Sequence, residues 1–226
     1  MAERAAIVTG ASSGIGYAIA DMLGEEGYGL TVAARRPEKL DAAAAQLRDK
    51  GYDVQHIAGN LGDEGVIAQV VEEHKQRFGR LDVLVNNAGV LPTQRTTTAA
   101  GHELAFATNV LGPFLLTNLL IPLLEASAPS RIINVSSGGM YTRRLDVDDL
   151  ESEDGEYDGA TAYAKTKRAE VVLTELWAQR LAGTGVAVHA MHPGWADTPG
   201  VATSLPAFHR VMKPLLRSPD EGADTI

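Results

Sequence analysis

The chain has 226 residues, 45% of them hydrophobic and 22% charged, which suits one globular domain large enough to bury a substantial core. It contains no cysteine, so disulfides and thiolate metal sites are excluded; its six histidines (56, 74, 102, 189, 192 and 209) show no metal-ligand spacing, and no metal is expected. The net charge of −9 comes from one segment, residues 146–158 (DVDDLESEDGEYD), which holds eight of the 29 acidic residues and no basic one; the other 21 face 20 lysines and arginines, so nucleic acid is not an expected partner.

Short apolar runs alternate with helical patterns along the chain. AAIVTG (5–10) reads as a strand and residues 14–27 as a helix; LTVAAR (30–35) is a strand, and 37–50 a helix with Pro37 in its first turn. Strands at 53–59 and 81–87 flank a helix across 62–78. A long helix near 99–125 is followed by the strand RIINVSS (131–137), a helix from about 160 to 181, and VAVHAMHPG (186–194). Such alternation implies βαβ units and a single-domain, doubly wound parallel sheet of the Rossmann type, whose ligands bind beyond the carboxyl ends of the strands. The N-terminus enters a strand at once with no signal-peptide layout, so the expected location is cytoplasmic.

Residues 104–124 carry no charge over 21 positions, long enough to cross a bilayer. They also contain Thr108, Asn109, Gly112, Pro113, Thr117, Asn118 and Pro122, a mixture that fits a helix buried in a core or subunit interface, so no membrane span is expected. At the other end, Ser218 and Pro219 open a helix that the last residues leave short. The reading there is that the natural protein continues with a final helix and strand.

TGASSGIG (9–16) links the first strand to the first helix. Gly10, Gly14 and Gly16 permit a tight turn and close approach to phosphate, and Ser12, Ser13 and Ile15 complete a loop leading into a helix N-terminus that attracts pyrophosphate. The second strand ends Ala33-Ala34-Arg35-Arg36, with no acid to bond a ribose 2′-hydroxyl. Two guanidinium groups there suit a 2′-phosphate, so NADP(H) is expected ahead of NAD(H).

In TAYAKTKRAE (161–170), Tyr163 and Lys167 stand one helical turn apart, and no other tyrosine of the six has a lysine four residues on. An ammonium beside a phenol favours the phenolate and makes it a usable acid and base near neutrality. A solvated surface pair is the competing reading from these residues alone.

Taken together, TGASSGIG, NNAG (86–89), Asn109, NVSS (134–137), YAKTK (163–167) and HPGWADT (192–198) make the chain resemble a short-chain dehydrogenase/reductase over essentially its whole length. The resemblance implies roles by motif. Tyr163 is the general acid/base toward the substrate oxygen, and Lys167 lowers its pKa and holds the nicotinamide ribose. Ser137 bonds the substrate carbonyl, while Asn109 kinks its helix and extends a proton relay. Ser136 reads as a structural neighbour. Asn87, Ala88 and Gly89 lie by the adenosine ribose, and Pro193, Gly194 and Thr198 meet the nicotinamide carboxamide.

Two departures stand out. Asn60-Leu61 replaces the family's aspartate-leucine at the adenine. Ser137 and Tyr163 are 26 residues apart, longer than in typical small members, and the added segment is similar to that of retinol-dehydrogenase-like orphan members. The resemblance therefore implies a bulky apolar carbonyl or alcohol as substrate. Leu91, Met140, Tyr141, Trp195 and a lid-like segment at 201–216, with Leu205, Phe208, Val211, Met212 and Leu215 at helical spacing, are its candidate walls. The acidic segment reads as a solvated flap, and the long apolar helix favours a homodimer or homotetramer. A catalytically silent NADP sensor is the alternative, but it needs the loop and not the tetrad. A sugar-nucleotide epimerase would need a larger C-terminal substrate domain.

Overall fold

The computed structural model describes residues 3–198 and 206–226, with 206–208 described by their backbone. Six of the apolar runs become strands: β1 (Arg4–Thr9), β2 (Tyr28–Ala34), β3 (Val54–Ala58), β4 (Val83–Asn86), β5 (Ser130–Val135) and β6 (Val186–Met191). All pair in parallel, in the order β3-β2-β1-β4-β5-β6. A parallel sheet must be covered on both faces, and alternate residues of each strand serve the two layers. Ala6 and Val8 pack beneath α1 (Gly14–Glu25) and α2 (Pro37–Asp49). Ile7 packs on the other face, with α3 (Glu64–Phe78), α5 (Gly112–Ala126) and α6 (Gly159–Arg180). The result is the doubly wound single domain expected from the sequence. Its winding reverses between β1 and β4, which opens a crevice at their carboxyl ends.

Boundaries moved where side chains competed for the helix ends. The long helix starts at α4 (Leu104–Phe106), not near 99, because Glu103 accepts from the Ala105 and Phe106 amides and so caps it. Upstream, Thr97 instead bridges to Glu103 in antiparallel fashion. Between α4 and α5 the chain forms a π turn, Ala107–Leu111, with Asn109 at its middle. The continuous helix Leu104–Ala126 is apolar and long enough to cross a membrane, but 67% of its most apolar window is buried inside this fold. Strand β6 stops at Met191, short of the predicted 194, where Pro193 cannot donate to the ladder and Gly194 (φ +78) turns the chain outward.

Near the C-terminus lie α7 (Pro206–Met212) and α8 (Pro219–Asp224). Ser218 and Glu221 form a reciprocal capping box on α8, so the expected helix start is present. Through Gly222 the helix approaches Ile15 at the head of α1.

One polar chain crosses the α3 layer. Gln55 Nε2 donates to Thr31 Oγ1 (3.0 Å), which meets His74 Nδ1 (2.7 Å), while His74 Nε2 lies 2.9 Å from Arg80 O. A carbonyl only accepts, so Nε2 carries the ring proton and Nδ1 accepts from Thr31. Burial holds the His74 ring neutral and pushes its pKa down to about 4 from 6.5. The unfolded chain therefore takes up a proton at higher pH than the native one. Stability contributed by His74 is present above pH 6.5 and is expected to fall by about 3 kcal/mol as pH drops toward 4. Urea unfolding at several pH values should show this component in the wild type and not in His74→Gln.

Candidate active site

The carboxyl edge of the sheet gathers nearly every residue singled out from the sequence. At the end of β1, Gly10 (φ +70) donates its amide to Ala33 O at 2.7 Å, which pins the loop to β2. A Cβ added at Gly16 would sit 2.5 Å from Gly10 O and 2.4 Å from Asn87 Nδ2, so that position admits no side chain. Ser13 precedes α1 in extended conformation without a side-chain cap, and the first amides of α1 are left facing the loop. Ser12, Ser13, Gly14 and Ile15 are all half-buried around it. This glycine cradle, with uncapped donors, fits a dinucleotide pyrophosphate.

The neighbouring strand ends complete the cradle. Thr9 Oγ1 accepts from the Asn87 and Ala88 amides at 2.9 and 3.0 Å, and Asn87 Nδ2 donates to Thr9 O at 2.9 Å, which stitches the end of β4 to that of β1. Arg35 and Arg36 follow β2 and are exposed; neither guanidinium has a partner among the described residues. Asn60 follows β3 and uses Oδ1 to accept from Gly62 N (3.1 Å), which leaves its amide donors available. Leu61 is buried against the start of α5, where its carbonyl would lie 2.2 Å from a Cβ at Gly112.

Beyond β4 and β5 the four remaining groups converge. Lys167 Nζ lies 5.6 Å from the Tyr163 ring centroid and donates to Val135 O at 2.9 Å. A Cβ added at Gly89 would be 3.5 Å from Lys167 Nζ and 3.6 Å from Asn109 Oδ1, so both groups border the same small space. Asn109 exchanges hydrogen bonds with the Val90 backbone (2.8 and 3.0 Å) and donates to Thr166 Oγ1 (3.0 Å). Asn109 sits at the middle of the π turn, and these side-chain bonds fix the loop after β4 to α6. Ser137 Oγ accepts from Gly139 N at 3.2 Å, which leaves its proton to donate elsewhere. A Cβ at Gly139 would lie 3.5 Å from Ser137 Oγ and 3.9 Å from Tyr163 Cε1, so the serine and the tyrosine flank one glycine. Ser136, by contrast, donates to Lys167 O at 2.9 Å in a buried bond.

Sequence reasoning missed two partners of this cluster. Glu170 accepts from Lys167 Nζ at 2.7 Å; its spacing, three residues on, was visible, but its burial was not. Arg217 ties down the turn after β6: it donates to Pro193 O (3.1 Å) and Thr225 Oγ1 (2.8 Å), and its backbone bonds both Trp195 and Asp197. Pro193 and Gly194 are thereby held against Arg217, beside α8.

Substrate-side expectations fare unevenly. Leu91 and Met140 are half-buried near the cluster, whereas Tyr141 and Trp195 are exposed at 75% and 50%. The segment 201–205 with Leu205, and the side chain of Phe208, lie outside the described residues. Val211 and Leu215 are each 75% exposed, so the apolar spacing of that segment does not pack these two onto the body. The acidic segment is tethered, not a solvated flap throughout. Asp149 pairs with Lys165 at 2.7 Å, with the lysine lowering the carboxyl's pKa. Glu151 accepts from the Glu103 amide, Tyr157 donates to Glu103 Oε1, and Asp158 caps α6. Between this segment and residues 100–102 lies a cleft of about 460 Å³; acids make up half of its lining, and neither Tyr163 nor Lys167 belongs to it.

Comparison with known proteins agrees with this geometry. The model of the short chain dehydrogenase family matches residues 4–146. Dehydrogenase/reductase SDR family member 12 of Bos taurus is 43% identical over 227 residues, covering 99% of this chain and 70% of the relative. Human retinol dehydrogenase 13 is 41% identical over 203 residues, 86% of this chain and 60% of the relative. Among solved structures, an actinorhodin polyketide ketoreductase variant with NADPH superposes with a TM-score of 0.78 at 30% identity, covering 99% of this chain and 90% of that one. A 3-ketoacyl-(acyl-carrier-protein) reductase from Brucella melitensis complexed with NADH gives a TM-score of 0.78 at 25% identity, with coverage of 99% and 88%. By sequence and by fold alike, the chain belongs to the short-chain dehydrogenase family.

Proposed function

We propose that the chain is an NADP(H)-dependent oxidoreductase that interconverts a carbonyl and a primary or secondary alcohol on a bulky apolar substrate. The convergence of Tyr163, Lys167, Ser137 and Asn109 beside the Gly10–Gly16 cradle carries this reading. The nicotinamide, when bound, supplies or accepts the hydride. Tyr163 Oη then donates a proton to the substrate oxygen, or takes one from the alcohol, and the nearby Lys167 ammonium favours the phenolate. Ser137 aims its free proton at the same oxygen and stabilises charge that develops there. Asn109 holds the loop after β4 in register with α6, so the proton-handling groups stay fixed.

Cofactor binding is assigned to the same edge. Gly10, Ser12, Ser13, Gly14, Ile15 and Gly16 receive the pyrophosphate, with Asn60 and Leu61 at the adenine and Asn87, Ala88 and Gly89 at its ribose. Pro193, Gly194 and Thr198 meet the carboxamide, and Lys167 the nicotinamide ribose. Arg35 and Arg36, exposed and unengaged, favour a 2′-phosphate. Neighbouring structures with NADPH support that preference, although one holds NADH. Leu91, Met140 and the retinol dehydrogenases among the relatives support an apolar substrate. Exposed Phe114 and Leu119 on α5 and Leu176 on α6 support association into a homodimer or homotetramer.

The first test is fluorescence titration with NADPH and NADH. NADPH is expected to bind at least about tenfold more tightly, and Arg35→Ala to remove most of that difference, since a charge-assisted bond to phosphate contributes about 1.5–3 kcal/mol. Equal affinity for the two nucleotides would overturn the arginine assignment. A panel of apolar ketones and aldehydes with NADPH then reads turnover; no turnover with any of them, despite tight NADPH binding, would overturn the substrate class.

A further inference from the structure

The proposed chemistry needs Lys167 as a cation beside a phenol, yet Lys167 does not stand alone. Glu170 lies three residues further along α6, on the same face. Lys167 Nζ donates to Glu170 Oε1 at 2.7 Å and to Val135 O at 2.9 Å, and the two side chains are only 4% and 6% exposed. Water therefore screens neither charge. Packing does not call for a carboxyl here: Glu170 Oε2 is buried with no hydrogen-bond partner among the described residues. Leaving such an atom unpaired costs about 1–3 kcal/mol, which an apolar side chain would avoid.

The surroundings are otherwise neutral. Strand β5 contributes the Val135 carbonyl and the Asn134 amide, which donates to Thr174 Oγ1 at 2.8 Å; Thr174 in turn donates to Glu170 O at 2.7 Å. The π turn contributes Asn109. Among the described residues, the charged or titratable groups acting on Lys167 are Glu170 and Tyr163, and the one acting on Glu170 is Lys167. Burial works against the Lys167 charge, but the Glu170 carboxylate and Tyr163 more than offset it and hold the lysine above its usual value. Burial pushes the Glu170 carboxyl up to about 7, with Lys167 opposing the rise.

We propose that Glu170 is a positioning residue for this site: it anchors the Lys167 ammonium beside β5 and keeps it charged there, so that the cation stays next to Tyr163. The proposal rests on the acid–base role of Tyr163 and Lys167. Without the carboxylate, Lys167 keeps its bond to the Val135 carbonyl but loses the only carboxylate charge acting on it among the described residues, and burial then favours the neutral amine.

Lysines labelled with ¹³C at Cε report amine ionisation directly by NMR, and the Lys167 signal is identified by its loss in Lys167→Arg. Glu170→Gln keeps the side chain's shape and can still accept from Lys167 Nζ, but removes the charge. The Lys167 midpoint is expected to fall in this variant, because burial is then opposed by no carboxylate. A midpoint that stays where it is in wild type, or rises, overturns the proposal. Glu170→Met removes the charge with an apolar side chain of similar length, and reads the same midpoint if glutamine is poorly tolerated. The titration needs neither substrate nor turnover. A protein that reduces no carbonyl would count against the proposed function and leave this measurement intact.

Discussion

Tyr163→Phe is expected to lower kcat/KM for any accepted carbonyl by about 10³-fold, with NADPH affinity unchanged within about twofold. The substitution removes a single oxygen. The ring is half-buried on α6 beside Gly139, and phenylalanine fills the same space, so the thermal midpoint should stay where it is. The glycine cradle, the Asn87–Thr9 stitch and the exposed arginines do not involve the phenol, which is why cofactor binding survives. Ser137 still donates to the substrate oxygen, so residual turnover is expected above background. What disappears is the phenol oxygen that exchanges a proton with the substrate beside the Lys167 ammonium, whose Nζ is 5.6 Å from the ring centroid. Steady-state kinetics and a fluorescence titration on the same preparation separate the two effects. A variant that keeps a tenth or more of the activity would take Tyr163 out of the chemistry.

The parts of this molecule that local spacing encodes were legible in the sequence. Strands buried on both faces show as apolar runs, and a glycine that must touch backbone, such as Gly16 against Gly10, shows as an interval in a loop. Tyr163 and Lys167 share a helix face because four residues make about one turn. What depends on the partner of a face was not legible. Val211 and Leu215 have helical apolar spacing, but spacing does not say what the face meets, and both are open to solvent. Eight acids in thirteen residues read as a solvated flap, yet Asp149 found Lys165 and Glu151 found the Glu103 amide. Glu103 looked like one more residue of a long helix, whereas its carboxylate ends that helix at Leu104. The same blindness hid Glu170, whose burial is set by β5, far away in sequence.

Lys167→Met should cost both the fold and the reaction, and the two losses can be pulled apart. Removing one member of a buried pair leaves the other charge without compensation, a loss of about 3–5 kcal/mol. The size should depend on pH. Glu170 already sits at about 7 with Lys167 beside it, and without the lysine its native value moves higher still, above its unfolded value near 4.5. A carboxyl raised in this way contributes stability below its unfolded pKa and loses it as pH rises through the native one. The single variant should therefore be nearer to wild type in urea unfolding at pH 6 than at pH 9. Lys167→Met combined with Glu170→Leu removes both charges, as well as the unpaired Oε2, and is expected to recover most of the lost stability. Turnover should stay down by about 10³-fold in both variants, because Tyr163 has lost its cation in each. A single variant as stable as wild type at pH 9, or a double variant no more stable than the single, would mean that the pair is not energetically coupled. Recovery of turnover in the double variant would instead mean that Lys167 acts on the reaction only by neutralising Glu170.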